Sequence, residues 1–226
     1  MCFIYAGLFI ITNATIRLMS ALSYILRHKI VAIVRGMPPG DVRALAHAMH
    51  KGGIRLLEIT LNSENAFGII KELSDEFKDD MLIGAGTVLS TDEAEEAISA
   101  GAQFIISPST DPEVIAVTKR MGKVSIPGAY TPTEIVLAHK CGADIIKVFP
   151  APDAAYIKNI LGPLNTLRLM PTGGVNIENI AAYAAAGAVA FGIGSSLVNS
   201  KEKASPAYLQ QLEEKARQFT NAIQNI

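Results

Sequence analysis

Tryptophan is absent from the 226 residues, and cysteine occurs only as Cys2 and Cys141. Two thiols so far apart write neither a disulfide framework nor a cysteine-based zinc site, and they fit a reducing cytoplasm. An excess of one charge is also missing: 20 Lys and Arg stand against 21 Asp and Glu, a formal net charge of -1. No broad basic field is available, so nucleic acid is not an expected partner. The four histidines, His28, His47, His50 and His139, sit ahead of the first apolar run or in helix-like stretches, with no carboxylate-rich ligand spacing near a strand end. We therefore expect no catalytic metal and no cofactor. The stretch Cys2 to Ile11 is almost wholly apolar, yet it is too short to span a bilayer. No basic residue precedes Arg17 and no clear cleavage pattern follows, which speaks against a signal peptide. The expectation is a dispensable apolar extension over 1–18, no membrane partner, and a single domain over 19–226 opened by a short helix from Ser20 to His28 that covers a barrel floor.

What is present is a repeat. From Ile30 onward a short apolar run, a Gly, Pro, Ser or Thr-rich break and an amphipathic stretch recur about every 20 to 28 residues. The runs are IVAIV, IRLLEITL, MLIGAG, QFIIS, KVSIPG, ADIIKVF, TLRLMPTGG and AVAFGIG, eight in all. Helix-like segments lie between them, including 41–50, 64–77, 92–100 and 177–186. The pairs Gly52-Gly53, Ala100-Gly101 and Ala186-Gly187 stand where a helix stops in a left-handed residue. Strands apolar on both faces and separated by helices imply a parallel sheet, and eight such units with right-handed crossovers close on themselves. The predicted fold is an α/β (β/α)₈ TIM barrel. An open doubly wound sheet is the alternative, but RGMPPG stands after the first strand where a dinucleotide fingerprint would be.

Barrel chemistry is built at the C-terminal ends of strands, so charged residues there carry weight. In LLEITL, Leu57, Ile59 and Leu61 share one face, which turns Glu58 and Thr60 inward. In IIKVFP, Lys147 lies among apolar neighbours, where an ammonium pays a desolvation cost. At an unperturbed pKa near 10.4 only about 1 lysine in 2500 is a neutral amine at pH 7, and burial raises that fraction. Such an amine attacks the ketone carbon of a 2-keto acid, and the iminium then serves as an electron sink; Glu58 would move the protons. The plain alternative is a lysine that snorkels to the mouth or pairs with Glu58. Arg35, after IVAIV, is either an anion binder or a partner of Glu58.

Two glycine turns complete the pattern. PTGG, containing Gly173 and Gly174, precedes a helix expected from about Asn176, and GIGSS, containing Gly194 and Ser195, opens another helical turn. Backbone amides there make an anion cradle, in the place where such barrels hold phosphate.

With these motifs in this order, the chain resembles the 2-keto-3-deoxy-6-phosphogluconate / 4-hydroxy-2-oxoglutarate aldolase family, over essentially Ile30 to Val198. The resemblance rests on IVAIVRG, GGIRLLEITL, LIGAGTVL, GAQFIISPS, PGAYTPTE, IIKVFPA, PTGGV and GIGSSLV. It implies that Lys147 is the Schiff-base lysine and Glu58 the general acid/base. It implies further that Thr87, Pro108 and Phe149 line a pyruvate pocket, that Gly173, Gly174 and Ser195 hold a phosphate, and that the chain assembles as a homotrimer. One departure stands out: Asn62 occupies a position where many phosphogluconate-cleaving members have an arginine. Arg35 with LNS is similar to the galactonate-type branch and PTGG to the gluconate-type branch, which leaves the epimer open. Two rivals remain at this stage, a phosphate-binding isomerase or synthase barrel without a covalent lysine and a non-catalytic sugar-phosphate sensor.

Since the strand pattern begins only at Ile30, deleting the residues before Met19 should leave melting temperature and turnover nearly unchanged. Comparing both quantities in the full and shortened chains tests this, and a large loss in either would show that the apolar segment packs on the barrel.

Overall fold

The computed structural model describes residues 19–78 and 80–224, so the expected extension over 1–18 lies outside the described residues. Helix α1 (Ala21–His28) leads into β1 (Ile30–Val34), after which the order is α2 (Pro39–Lys51), β2 (Leu56–Thr60), α3 (Ala66–Glu76), β3 (Leu82–Gly86), α4 (Thr91–Ser99), β4 (Phe104–Ile106) and α5 (Pro112–Arg120). The second half runs β5 (Val124–Ile126), β6 (Gly128–Ala129), α6 (Pro132–Lys140), β7 (Ile146–Val148), α7 (Ala154–Leu161), β8 (Leu169–Pro171), α8 (Ile180–Ala185), β9 (Phe191–Ile193) and α9 (Pro206–Gln224).

Every ladder is parallel, in the orders β5-β4-β3-β2-β1-β9 and β6-β7-β8. The two sheets are one wall. β5 and β6 occupy a single barrel position split at Pro127, which has no N–H to give a ladder; its carbonyl still accepts from Lys147 N at 2.9 Å. On the other side Val189 N donates to Leu169 O at 3.0 Å and Thr172 bridges Gly192, which closes β8 onto β9. Eight strand positions thus form the closed (β/α)₈ barrel expected from the apolar repeat.

Local chemistry sets the helix starts. Ser20, Ser90, Asp111 and Asp153 each accept an amide of the first turn of α1, α4, α5 and α7. Thr131 and Glu134 form a capping box on α6, satisfying donors that a helix leaves unpaired. Gly53, Gly101 and Gly187 adopt positive φ after α2, α4 and α8. One expectation needs correction. The helix after PTGG does not begin near Asn176: residues 177–179 form a turn and α8 starts at Ile180. Asn176 and Asn179 explain it, because each side chain accepts the other's backbone N–H and holds the segment in a turn.

Strand alternation divides the core in two. Leu57, Ile59, Ile83, Ala85, Ile146 and Val148 face the helices, whereas Val31, Leu56, Leu82, Phe104, Val124 and Met170 fill the barrel interior with Tyr24 and Ile25 of α1. The short N-terminal helix therefore closes the floor. Interior space is shared between neighbours. A Cβ on Gly84 would fall inside the Phe104 ring, and one on Gly86 inside the Glu58 side chain. Close packing leaves no slack for either. Gly84→Ala should therefore cost about 1–3 kcal/mol in urea unfolding, with Phe104→Leu in the same chain recovering part of the loss; simple additivity of the two losses would show that the ring does not occupy that space.

Candidate active site

Lys147 projects inward from β7 between Ile146 and Val148, in register with Gly128 of β6 and Met170 of β8. It is only 4% exposed and Glu58 of β2 is fully buried at 0%. Both carboxyl oxygens of Glu58 lack a hydrogen-bond partner. Burial pushes the Glu58 carboxyl up, against the attraction of Lys147 and Arg35. Burial likewise pushes the Lys147 amine down, with Glu58 opposing and Arg35 assisting. The directions agree: each group is driven toward its neutral form, as expected when two ionisable groups leave water without a direct ion pair.

A cleft of about 280 Å³ opens over the lysine, lined by Arg35, Lys147, Phe149 and Thr172, by the turn residues Gly173, Gly174, Gly194 and Ser195, and by Ser196 and Ser200. The Phe149 ring lies 4.9 Å from Lys147 Nζ and packs near Gly173, where an added Cβ would stand 3.1 Å from the ring. Gly173 and Gly174 have φ of 83° and 81°, a region that side-chain-bearing residues rarely adopt. Asn179 Nδ2 donates to Gly174 O at 2.8 Å and pins the turn. After β9, Gly194 O accepts from Leu197 N at 2.8 Å and from Val198 N at 3.0 Å, the single helical turn expected at GIGSS.

The remaining sequence candidates stand apart from the cleft wall. Thr87 accepts from Arg35 Nη2 at 3.3 Å and holds φ of 59°. Pro108 is half-buried, its carbonyl set against Gly128, and Asn62 is exposed. Thr172, Ser196 and Ser200 went unnamed at the level of sequence. The first two sit inside PTGG and GIGSS and were within reach of that signal; Ser200 carries none. Its loop is held by Tyr208 of α9, whose hydroxyl accepts from Asn199 N at 2.8 Å. Among the described residues no group of three or more His, Cys, Asp or Glu is placed to hold a metal, and no helix is long and apolar enough to cross a membrane.

The closed barrel thus carries a buried lysine and a buried glutamate, each pushed toward its neutral form, with a glycine-lined cleft over the lysine. The family model for KDPG and KHG aldolase matches residues 22–212. A probable 2-dehydro-3-deoxy-6-phosphogalactonate aldolase of Rhizobium meliloti is 36% identical over 74% of this chain and 81% of its own. A 2-dehydro-3-deoxy-phosphogluconate aldolase of Treponema pallidum is 36% identical over 70% and 77%. The KDPG aldolase of Legionella pneumophila, solved with pyruvate captured as a covalent carbinolamine, superposes with a TM-score of 0.78 at 28% identity over 87% of this chain and 96% of that one. This chain belongs to the KDPG and KHG aldolase family.

The state of Glu58 can be read from stability. An unfolded glutamate titrates near pH 4.3, and the folded value is higher. The fold then binds more protons than the unfolded chain, so stability present in full below about pH 4.3 is lost as pH rises through the folded value. Glu58→Gln escapes that loss. Attraction by the Lys147 ammonium favours the ionised carboxylate and acts the other way, but burial outweighs it in the net upward shift. The melting temperature of Glu58→Gln relative to wild type should therefore rise from pH 4.5 to pH 8. A difference that falls over this range would place an ionised, stabilised carboxylate at the site.

Proposed function

We propose that this protein is a class I aldolase that splits a phosphorylated 2-keto-3-deoxy sugar acid into pyruvate and an aldehyde through a Schiff base on Lys147. The single observation that carries the proposal is the near-complete burial of Lys147 at the cleft, within the field of a buried and unpartnered Glu58. The neutral amine adds to the C2 carbonyl to give a carbinolamine, and protonated Glu58 delivers the proton with which its hydroxyl leaves as water. The resulting Glu58 carboxylate takes the C4 hydroxyl proton while the C3–C4 bond breaks and its electron pair flows into the iminium. The aldehyde departs, Glu58 returns the proton to C3 of the enamine, and water hydrolyses the iminium to release pyruvate. Glu58 recovers its proton in that last step. The carbinolamine captured in the Legionella relative is the adduct this scheme places on Lys147.

The glycine turns suit the far end of such a substrate: amides of Gly173, Gly174 and Gly194 with the Ser195 hydroxyl would receive the phosphate. By the resemblance Phe149, Pro108 and Thr87 would shape the pyruvate end, and Arg35 would bind an anionic group. Asn62, which is exposed, would meet a substrate hydroxyl with a neutral amide instead of a charged fork. The substrate is then 2-keto-3-deoxy-6-phosphogluconate, its galactonate epimer or 4-hydroxy-2-oxoglutarate, with glyceraldehyde 3-phosphate or glyoxylate as the second product. By the same resemblance the assembly is a cytoplasmic homotrimer, and the exposed Leu89, Tyr130 and Leu137 offer apolar surface for its contacts.

Borohydride added with pyruvate should leave one pyruvate-derived secondary amine on the peptide containing Lys147, seen by mass spectrometry and lost in Lys147→Met. Glu58→Gln should slow cleavage by roughly 10² to 10⁴ and slow trapping as well. Cleavage without an adduct, or an adduct on Lys158, would move the chemistry off Lys147.

A further inference from the structure

Among the described residues, Arg35 and Lys147 are the cations that line the cleft, and the Arg35 backbone is bracketed on both sides by hydroxyls of the neighbouring strand end. Gly36 N donates to Ser63 Oγ at 2.9 Å, Ser63 Oγ stands 3.0 Å from Thr60 Oγ1, and Thr60 Oγ1 donates to Val34 O at 3.4 Å. Each hydroxyl has one proton, and that fixes the direction of the chain. Thr60 spends its proton on Val34 O, so the Ser63 hydroxyl donates to Thr60 Oγ1 and accepts from Gly36. The relay is closed by Ser63 N donating to Thr60 O at 3.0 Å. Gly36 has φ of 63°, so the chain turns sharply just after Arg35 and directs its N–H back at Ser63. At the tip, Arg35 Nη2 donates to Thr87 Oγ1 at 3.3 Å. The arginine is thus held at its preceding carbonyl, its following amide and its guanidinium, by β2 and β3 ends that do not themselves line the cleft.

We propose that Ser63, acting through Thr60 and Gly36, is a positioning residue that presets Arg35 to bind an anionic oxygen of the ligand, carboxylate or phosphate. A held guanidinium loses less freedom on binding than one that must be ordered by the ligand. The inference rests on the reading of the cleft as a keto-acid site but not on covalent catalysis.

The test is calorimetric titration of the full chain with pyruvate and, separately, with inorganic phosphate. Ser63→Ala should weaken one of them about tenfold, as expected for a directly coupled contact, and Ser63→Thr, which keeps the hydroxyl, should stay near wild type. Thr60→Val, breaking the next link, should shift affinity in the same direction. Weakened pyruvate binding assigns the carboxylate to Arg35 and weakened phosphate binding assigns the phosphate. In an Arg35→Ala background Ser63→Ala should have no further effect. Unchanged affinities in Ser63→Ala, an equal loss in the presence and absence of Arg35, or wild-type chain that binds neither anion would overturn the proposal, as would a fall in melting temperature with no change in affinity. Failure of the aldolase reading looks different: pyruvate binds, and borohydride traps nothing on Lys147.

Discussion

Everything at the top of this barrel follows from placing an amine and a carboxyl inside an apolar wall without a direct ion pair between them. Transfer of either charged form from water is costly, and mutual attraction offsets only part of the cost. The fold answers with space before charge. Gly86 withholds a side chain so that the Glu58 carboxyl has room, and Gly84 makes way for the Phe104 ring beneath it. The carboxyl is consequently enclosed and unpartnered, which drives it toward the protonated form, while the same burial drives Lys147 toward the free amine. The proposed nucleophile and the proposed acid would owe their states to one physical cause.

Arg35 adds a field of its own. It is exposed and acts on both groups: it favours the Glu58 carboxylate, against the effect of burial, and disfavours the Lys147 ammonium, with it. A ligand anion arriving at Arg35 would cancel part of its field. Binding would then ease the Glu58 carboxyl further toward its protonated form just when carbinolamine dehydration calls for an acid, and would make the Lys147 nitrogen better able to carry the positive charge of an iminium. On the proposed mechanism, substrate charge and the protonation of the pair would be linked through one guanidinium.

The parts of this arrangement that depend on strand periodicity were legible in the sequence. Alternation in LLEITL turns Glu58 inward and Leu57 and Ile59 outward, and all three are found so. Lys147 stands out as an ionisable residue inside the apolar run IIKVF, although the sequence left open a side chain that snorkels to the mouth, which its 4% exposure argues against. What escaped depends on long-range closure. Nothing local distinguishes Pro127 as a break within one barrel position, because KVSIPG is an ordinary strand followed by a turn until its partners on both sides are known. The late start of α8 was hidden by two asparagines that trade hydrogen bonds, and Ser200 reaches the cleft only because Tyr208, from the closing helix, gathers its loop. Roles assigned to Thr87, Pro108 and Asn62 came from family resemblance, and none of the three lines the cleft wall.

That last point bears on selectivity. The relatives divide between gluconate and galactonate names at the same 36% identity, so overall likeness does not choose an epimer. Those two sugar acids differ at C4, the carbon whose hydroxyl would give up its proton to Glu58 in the proposed mechanism. The Glu58 side chain packs over Gly86, where an added Cβ would fall within it, so close packing limits how far it could follow the hydroxyl. Discrimination would then fall to groups that contact the chain beyond C4. The side-chain hydroxyls lining the cleft are those of Thr172, Ser195, Ser196 and Ser200, each with one proton to donate and lone pairs to accept. A set of small hydroxyls can satisfy either configuration with modest rearrangement, whereas a charged fork in place of the exposed Asn62 would be more exacting. On the proposed mechanism the chemistry would fall to the rigid barrel wall and the choice of epimer to the loops above it.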